Sequence, residues 1–120
     1  VLAEMVSEVL TVELYPELAE AARKTIAGLG YTNVKFRTGD GTEGWAEEAP
    51  FDAIVVTAAP AGLTAALPAQ LGEGGRLIVP LGLDLQTLKL FRKKDGLLAE
   101  TPLLCVKFGP LLEAAPKEAP

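Results

Sequence analysis

Residues 9–45, "VLTVELYPELAEAARKTIAGLGYTNVKFRTGDGTEGW", contain the pattern that decides the fold. Val9–Leu14 is a short run of β-forming residues, which predicts a strand. Pro16 then favours the start of a helix, because the first helical position needs no backbone N–H donor, and Gly30 is typical of the position just after a helix. A second β-rich run, Val34–Thr38, follows. Strand, helix and strand in this order predict a parallel pair in an α/β protein.

The predicted helix has apolar side chains at helical spacing, Leu18, Ala22, Ile26 and Leu29. This spacing places them on one face of the helix. Upstream, Val1–Val6 resembles the tail of a helix, since no capping residue precedes it.

The sequence that follows continues the α/β pattern. Residues 51–59, "FDAIVVTAA", are apolar at their centre, which predicts a strand buried on both faces, as in a parallel sheet. Ala61–Leu71 predicts a short helix that Pro68 weakens or kinks. A glycine turn then leads into another buried strand, Arg76–Leu81.

The last third of the chain predicts a β-hairpin. Gln86–Lys93 and Leu103–Phe108 have strand character, and the "KKDG" turn at Lys93–Gly96 separates them. The fold class is therefore α/β, with a mostly parallel sheet and a C-terminal antiparallel hairpin. We expect residues 1–112 to form one domain and the polar, proline-bearing residues 113–120 to be a frayed tail.

Composition limits the classes of partner. The chain has 120 residues and a net charge of −5, so the basic surface that binds nucleic acid is not expected. No run approaches the ~18 apolar residues needed to span a bilayer, and no signal-peptide pattern is present. We expect a soluble cytoplasmic protein that binds neither nucleic acid nor membrane.

The chain has no histidine and a single cysteine, which excludes several chemistries. A Ser-His or Cys-His nucleophile pair cannot form, and neither a histidine-ligated nor a thiolate metal site is available. We therefore expect no metal. Cys105 lies in the apolar run "TPLLCVKFGPLL" and is predicted to be a buried structural thiol.

Two acids end consecutive predicted strands. Ligands of parallel α/β sheets bind outside the carboxyl ends of the strands. Glu13 could accept hydrogen bonds there from both hydroxyls of a ribose, or be a solvated acid. Asp40, between Gly39 and Gly41, could accept from an exocyclic amine such as that of adenine, or belong to an ordinary turn. Together the two acids favour an adenosine-like ligand, and we expect Trp45 to pack the loop.

Small residues end the apolar strand. Thr57–Pro60 leave room for a ligand or a reacting group, or alternatively allow close packing against the next helix. Gly74 and Gly75 predict a turn and not a phosphate cradle, since a cradle leads into a helix N-terminus.

Four segments in combination resemble one family. "VELYPELAEAAR", "GDGTEGW", "FDAIVVTAA" and "GGRLIVPLG" resemble protein-L-isoaspartate O-methyltransferase, a class I S-adenosylmethionine-dependent methyltransferase. The resemblance runs to about Leu112. It implies a Rossmann-like sheet, S-adenosyl-L-methionine as cofactor, and methylation of the α-carboxyl of L-isoaspartyl residues in damaged proteins, which starts their repair.

The resemblance also implies roles for particular residues. Glu13, with Leu14 beside it, would bind the cofactor ribose, and Asp40 and Gly41 would lie at the adenine. The catalytic positions would be those that line the strand end facing the methyl group and the substrate carboxylate, Thr57 and Ala58.

The family's chain is longer, and its N-terminal part carries the first strand and the glycine-rich turn that holds the methionine part of the cofactor. Such a turn precedes the acid by about 20 residues, whereas twelve residues precede Glu13. We therefore expect a partial methyltransferase sheet with exposed strand edges, and a chain that is inactive by itself. The alternatives are a non-catalytic interaction module that forms homo-oligomers through those edges, and another nucleotide-binding α/β enzyme such as a dehydrogenase.

Overall fold

The structure is a computed structural model that describes residues 1–112. These residues form two compact units, Val1–Gly41 and Thr42–Leu112. The predicted frayed tail lies outside the described residues. No helix within residues 1–112 is long and apolar enough to cross a membrane.

The first unit has the predicted strand–helix–strand order. Its elements are α1 (Leu2–Met5), β1 (Val9–Glu13), α2 (Pro16–Gly28) and β2 (Val34–Thr38). The strands β1 and β2 are parallel and in register from Val9 opposite Val34 to Glu13 opposite Thr38. Gly30 follows α2 with a φ of +86°, the left-handed conformation expected after a helix.

The apolar face of α2 is largely exposed. Leu18 and Leu29 are 57% and 67% exposed, Ala22 is exposed as well, and Ile26 is half-buried. The buried residue of α2 is Ala19. Within the first unit the helix packs mainly on β1 and β2, and such a narrow sheet covers a strip of the helix surface and not a whole face.

Two single turns of 3-10 helix follow β2, Gly41–Glu43 and Ala46–Glu48, and the second unit begins at Thr42, within the first of them. The elements after them are β3 (Phe51–Val55), α3 (Ala66–Gln70), β4 (Leu71–Leu81), β5 (Gln86–Lys94) and β6 (Leu97–Val106). They form one sheet with the order β3-β4-β5-β6. The pair β3 and β4 is parallel, as predicted, and the other two pairs are antiparallel.

The core of the second unit lies between α3 and one face of this sheet. Its buried side chains are Leu67, Leu71, Leu77, Val79 and Phe91. Lys93 Nζ donates hydrogen bonds to the carbonyl oxygens of Pro68 (3.1 Å) and Leu71 (2.9 Å). The ammonium group therefore satisfies carbonyls at the C-terminal end of α3, where a cation is favourable.

The prediction that residues 51–59 form a strand buried on both faces was wrong. The strand β3 ends at Val55, which is 52% exposed, and only Ile54 of its central residues packs on the core. Within residues 1–112, β3 has a ladder partner on one edge alone, so the strand lies at the margin of its sheet. The continuous apolar run does not distinguish an edge strand from a central one.

The predicted helix at residues 61–71 is shorter in the structure. The helix α3 begins at Ala66, so Pro68 lies at its third position and does not kink it. A proline is tolerated there, because the first N–H groups of a helix have no intrahelical acceptor. Gly74 and Gly75, predicted as a turn, lie inside β4, where the register with β3 shifts between Phe51 and Ala53.

The predicted hairpin is confirmed. Asp95 and Gly96 have φ values of 53° and 76°, as a tight hairpin turn requires. The strand β6 begins at Leu97, earlier than predicted. Cys105 is exposed, so its predicted burial was wrong. Within residues 1–112, β6 is the last strand of its sheet, and most of its side chains, that of Cys105 included, are exposed.

Candidate functional site

Glu13 lies at the carboxyl end of β1, where parallel sheets bind ligands. Its backbone oxygen accepts from Gly39 N at 2.9 Å, which joins the ends of β1 and β2. Its side-chain Oε1 accepts from Tyr15 N at 3.3 Å. Tyr15 precedes the first residue of α2, so the carboxylate is turned toward the N-terminus of that helix, where negative charge is stabilised.

Asp40 and Gly41 lie two and three residues after Thr38, the last residue of β2, and are half-buried. Because β1 and β2 are parallel and end in register, with Glu13 opposite Thr38, the structure brings the four predicted cofactor residues of the first unit to one sheet edge. They are Glu13, Leu14, Asp40 and Gly41. A half-buried carboxylate with several lone-pair positions is suited to accept from hydroxyl or amine groups of a ligand.

Gln70 fixes the loop that follows Gly41. Its Oε1 accepts from Trp45 N and its Nε2 donates to Glu43 O, both at 2.8 Å. Gly44 lies between these two contacts with a φ of +65°, and a Cβ at this position would be 2.2 Å from Gln70 Oε1. The hydroxyl of Thr64 also donates to Thr42 O, at 2.9 Å. The loop backbone is thus held by side chains from another part of the second unit.

Sequence reasoning missed this role of Gln70. The sequence "LPAQLGEGG" contains a signal for it, because the glutamine lies in an apolar segment where a helix meets a strand. A glutamine buried at such a position needs hydrogen-bond partners for its side-chain amide. The partner could not be read from the sequence, because Glu43 and Gln70 are 27 residues apart.

Thr57 and Ala58 follow β3 in the second unit. Thr57 is exposed and Ala58 is half-buried. The next residue, Ala59, is 3% exposed; its N donates to Gly109 O at 2.7 Å and its oxygen accepts from Leu111 N at 2.9 Å. These bonds anchor the segment after β3 at Ala59, two residues after Thr57.

The pKa shifts of the first unit lie at its surface. The Arg23 side chain hydrogen-bonds Glu20 and lowers the pKa of that carboxyl. A hydrogen bond to the Glu4 carboxylate raises the pKa of the Tyr31 phenol. Neither is one of the predicted site residues. Within residues 1–112, no three His, Cys, Asp or Glu side chains are grouped as a metal site would require.

Two solved structures share this fold. One is a protein-L-isoaspartate O-methyltransferase, which superposes with a TM-score of 0.80 at 37% sequence identity. The superposed region covers 86% of this chain and 33% of the chain of that structure. The other is a putative protein-L-isoaspartate O-methyltransferase from Plasmodium falciparum in complex with S-adenosyl-L-homocysteine. It superposes with a TM-score of 0.78 at 28% sequence identity, over 89% of this chain and 53% of the chain of that structure. The α/β fold is therefore that of the class I methyltransferases, as predicted.

Curated relatives define the family within this class. A protein-L-isoaspartate O-methyltransferase of Gloeobacter violaceus is 48% identical over 120 residues, and one of Picosynechococcus is 45% identical over 111 residues. The profile of the protein-L-isoaspartate(D-aspartate) O-methyltransferase family matches residues 1–115. The chain belongs to this family, which confirms the resemblance. It covers 58% and 50% of the lengths of those two relatives.

Proposed function

We propose that this chain takes part in the S-adenosyl-L-methionine-dependent methylation of the α-carboxyl of L-isoaspartyl residues in damaged proteins. The observation that carries the proposal is the family match across residues 1–115. The geometry at the ends of β1, β2 and β3 supports it. The same proposal includes a cytoplasmic location, a single methyltransferase domain over residues 1–112, and no nucleic-acid or membrane partner.

The residues at the edge of the first unit fit the nucleoside part of the cofactor. The Glu13 carboxylate has two oxygens with about four lone-pair positions, and Tyr15 N occupies one of them at 3.3 Å. The remaining lone-pair positions of the Glu13 carboxylate suit the two hydroxyls of a ribose, and Leu14 would lie beside the ribose. Asp40 and Gly41 would hold the adenine, because a carboxylate accepts from its amine and glycine allows close approach of a flat ring.

Thr57 and Ala58 are the proposed catalytic positions. When bound, S-adenosyl-L-methionine supplies an electrophilic methyl group. The exposed Thr57 hydroxyl can donate to one carboxylate oxygen of the substrate, while the small Ala58 leaves room for the reacting groups. The acceptor carboxylate is ionised at neutral pH, so no general base is needed. The contribution of the chain is then to orient the acceptor and exclude water.

Calorimetric titration with S-adenosyl-L-homocysteine tests the cofactor site. We expect saturable binding by the 120-residue chain and at least about tenfold weaker binding by Glu13→Gln, because a hydrogen bond to a charged group contributes ~1.5–3 kcal/mol. Glu17→Gln, four residues away in the first turn of α2, is the matched control and should bind as the unmodified chain does.

Transfer of a labelled methyl group tests the substrate. Labelling of an isoaspartyl peptide, but not of the aspartyl peptide of the same sequence, would support the proposed function and would overturn the expectation that the chain is inactive by itself. A folded chain that neither binds S-adenosyl-L-homocysteine nor labels the isoaspartyl peptide would overturn the proposal.

The edge of β3 favours a second candidate function, a non-catalytic interaction module. Within residues 1–112, β3 is hydrogen-bonded along one edge alone, and Val55 in this strand is 52% exposed. An open edge of this kind can pair with a strand of another copy of the chain. Sedimentation analysis separates the two functions: a stable homo-oligomer without methyl transfer favours the module, and a monomer that transfers methyl groups excludes it.

A further inference from the structure

A short loop, residues 42–45, comes directly after the two proposed adenine positions, Asp40 and Gly41. Gly41 and the first two residues of this 42–45 loop share one turn of 3-10 helix, Gly41–Glu43. Thr42 is buried, with 8% of its surface exposed. Since Gly41 is covalently bonded to Thr42 and shares its helical turn, the position of the loop limits where Asp40 and Gly41 can lie.

Side chains from outside the 42–45 loop hold three of its backbone groups. Gln70 Oε1 accepts from Trp45 N and Gln70 Nε2 donates to Glu43 O, both at 2.8 Å. The Thr64 hydroxyl donates to Thr42 O at 2.9 Å. Within residues 1–112 the loop belongs to no strand, so no β-ladder holds its backbone. Its position therefore depends on these three hydrogen bonds.

The side chain of Gln70 matches the two backbone groups that it contacts. An amide has an acceptor oxygen and a donor nitrogen at one end, so it can bond to an N–H and to a C=O at the same time. Gln70 is 8% exposed, and a buried polar group is costly to leave without a partner. Gly44 allows the close approach, because a Cβ there would lie 2.2 Å from Gln70 Oε1. The amide therefore fixes the loop before any ligand binds.

We propose that Gln70 is a positioning residue of the cofactor site, which sets the affinity for the nucleoside part of the cofactor through the 42–45 loop. The inference rests on the proposed function, because that function places the adenine at Asp40 and Gly41. Gln70 acts through the loop, without contacting the cofactor. Groups that are held in place by surrounding hydrogen bonds lose less entropy when a ligand binds, so loosening the loop should weaken cofactor binding.

The variant Gln70→Glu tests this role, because its effect should depend on pH. An ionised carboxylate can still accept from Trp45 N, but it cannot donate to Glu43 O. Protonation restores a donor, and burial raises the pKa of a carboxyl, so the introduced group should protonate at a higher pH than an exposed glutamate. We expect S-adenosyl-L-homocysteine to bind Gln70→Glu about tenfold more weakly than the unmodified chain at about pH 8, and within about threefold at about pH 5. Calorimetric titration of both chains at each pH measures this ratio.

Gln86→Glu is the matched control. Gln86 is also a buried glutamine, 4% exposed, but its amide holds a different segment: Oε1 accepts from Phe108 N at 2.6 Å and Nε2 donates to Phe108 O at 3.0 Å. Both variants should lower the midpoint of urea denaturation at neutral pH. Gln86→Glu should change the affinity for S-adenosyl-L-homocysteine by less than about twofold, because it shares no hydrogen-bond partner with Gln70. The control thus separates lost stability from a displaced loop.

Thr64→Val provides a second variant that keeps the role testable if Gln70→Glu does not fold. Valine has nearly the shape of threonine and lacks the hydroxyl that donates to Thr42 O, so one of the three bonds to the loop is lost. We expect S-adenosyl-L-homocysteine to bind about threefold more weakly, and adenosine to lose affinity by the same factor. A loss with S-adenosyl-L-homocysteine that is absent with adenosine would contradict the role, because the loop acts on the nucleoside part.

The outcomes separate this inference from the proposed function. If the unmodified chain binds S-adenosyl-L-homocysteine and both loop variants bind it equally well, the positioning role is overturned and the proposed function stands. The same holds if Gln86→Glu loses as much affinity as Gln70→Glu, or if the ratio for Gln70→Glu does not fall toward acid pH. If the folded, unmodified chain binds no S-adenosyl-L-homocysteine, the proposed cofactor site is refuted and the positioning role with it.

Discussion

The two compact units of this chain are stabilised in different ways. In the first unit, the buried apolar side chain among the described residues is Ala19. In the second unit, Leu67, Leu71, Leu77, Val79 and Phe91 form a continuous core. In the first unit the long helix α2 packs on a two-stranded sheet, and such a sheet is marginal by itself in water. The second has four strands and a helix that closes one face.

Polar contacts near the surface take the place of a core in the first unit. Asn33 Nδ2 donates to Ala3 O at 2.9 Å and to Val6 O at 3.1 Å. Tyr31 hydroxyl donates to the Glu4 carboxylate. Exposed polar and ionic contacts contribute ~1 kcal/mol or less each, whereas a buried leucine contributes roughly 1.5–3 kcal/mol.

This difference bears on the proposed site. The predicted cofactor residues belong to the first unit, which buries few apolar side chains. The predicted methyl-transfer positions belong to the second unit, which has a continuous apolar core. A ligand that binds the folded form of the first unit alone would stabilise that unit by mass action. Cofactor binding, if it occurs as proposed, would therefore stabilise the unit that contains the predicted cofactor residues.

The largest expected effect comes from truncating one leucine in each unit. Leu77→Ala should lower the free energy of unfolding by about 2–5 kcal/mol, because Leu77 is 0% exposed and its loss leaves a cavity. Leu18→Ala should change it by less than about 0.5 kcal/mol, since Leu18 is 57% exposed. Urea denaturation measures both. Equal effects in the two variants would remove the contrast between the units.

Replacing one glycine by alanine in each unit should change the stability by smaller amounts, and in opposite directions. Gly44→Ala should destabilise the second unit by about 1–3 kcal/mol, because its φ is +65° and the added Cβ meets Gln70 Oε1 at 2.2 Å. Gly28→Ala should stabilise α2 by about 0.5–1 kcal/mol, since no heavy atom lies within 4 Å of the added Cβ. Thermal unfolding of both variants measures the difference.

The control for Gly44 is a double-mutant cycle with Gln70→Ala. Removing the amide leaves space for the new Cβ, so Gly44→Ala should cost about 1 kcal/mol less in the Gln70→Ala background. An identical cost in both backgrounds would mean that Gln70 does not hold this loop.

The smallest expected effect concerns the pH dependence of the first unit. The hydrogen bond to Glu4 raises the pKa of Tyr31 above its ordinary value of 10.0. Because the folded-state pKa is the higher one, the contact stabilises the fold fully below pH 10.0 and is lost as the pH rises through the folded-state pKa. Titration of the Tyr31 ring by NMR measures the shift, and Glu4→Gln should reduce it. An unchanged midpoint in Glu4→Gln would refute the assigned cause.

Local signals were sufficient to predict the elements. Pro16 and Gly30 mark the limits of α2, and Asp95 with Gly96 marks the hairpin, because each residue acts through its own backbone conformation. The two acids at consecutive strand ends could be placed at one edge, since parallel strands end on the same side of a sheet. The family resemblance was likewise contained in local segments of the sequence.

Burial, in contrast, was decided by the tertiary structure. The apolar sequences of β3 and of the segment around Cys105 predict burial, but Val55 is 52% exposed and Cys105 is exposed. The hydrogen bonds from the side-chain amide of Gln70 to Glu43 and from that of Gln86 to Phe108 join positions 27 and 22 residues apart. The sequence by itself determined the type and order of the elements, because those depend on neighbouring residues. Which face is covered, and which glutamine fixes which loop, depends on contacts between distant residues that only the folded chain brings together.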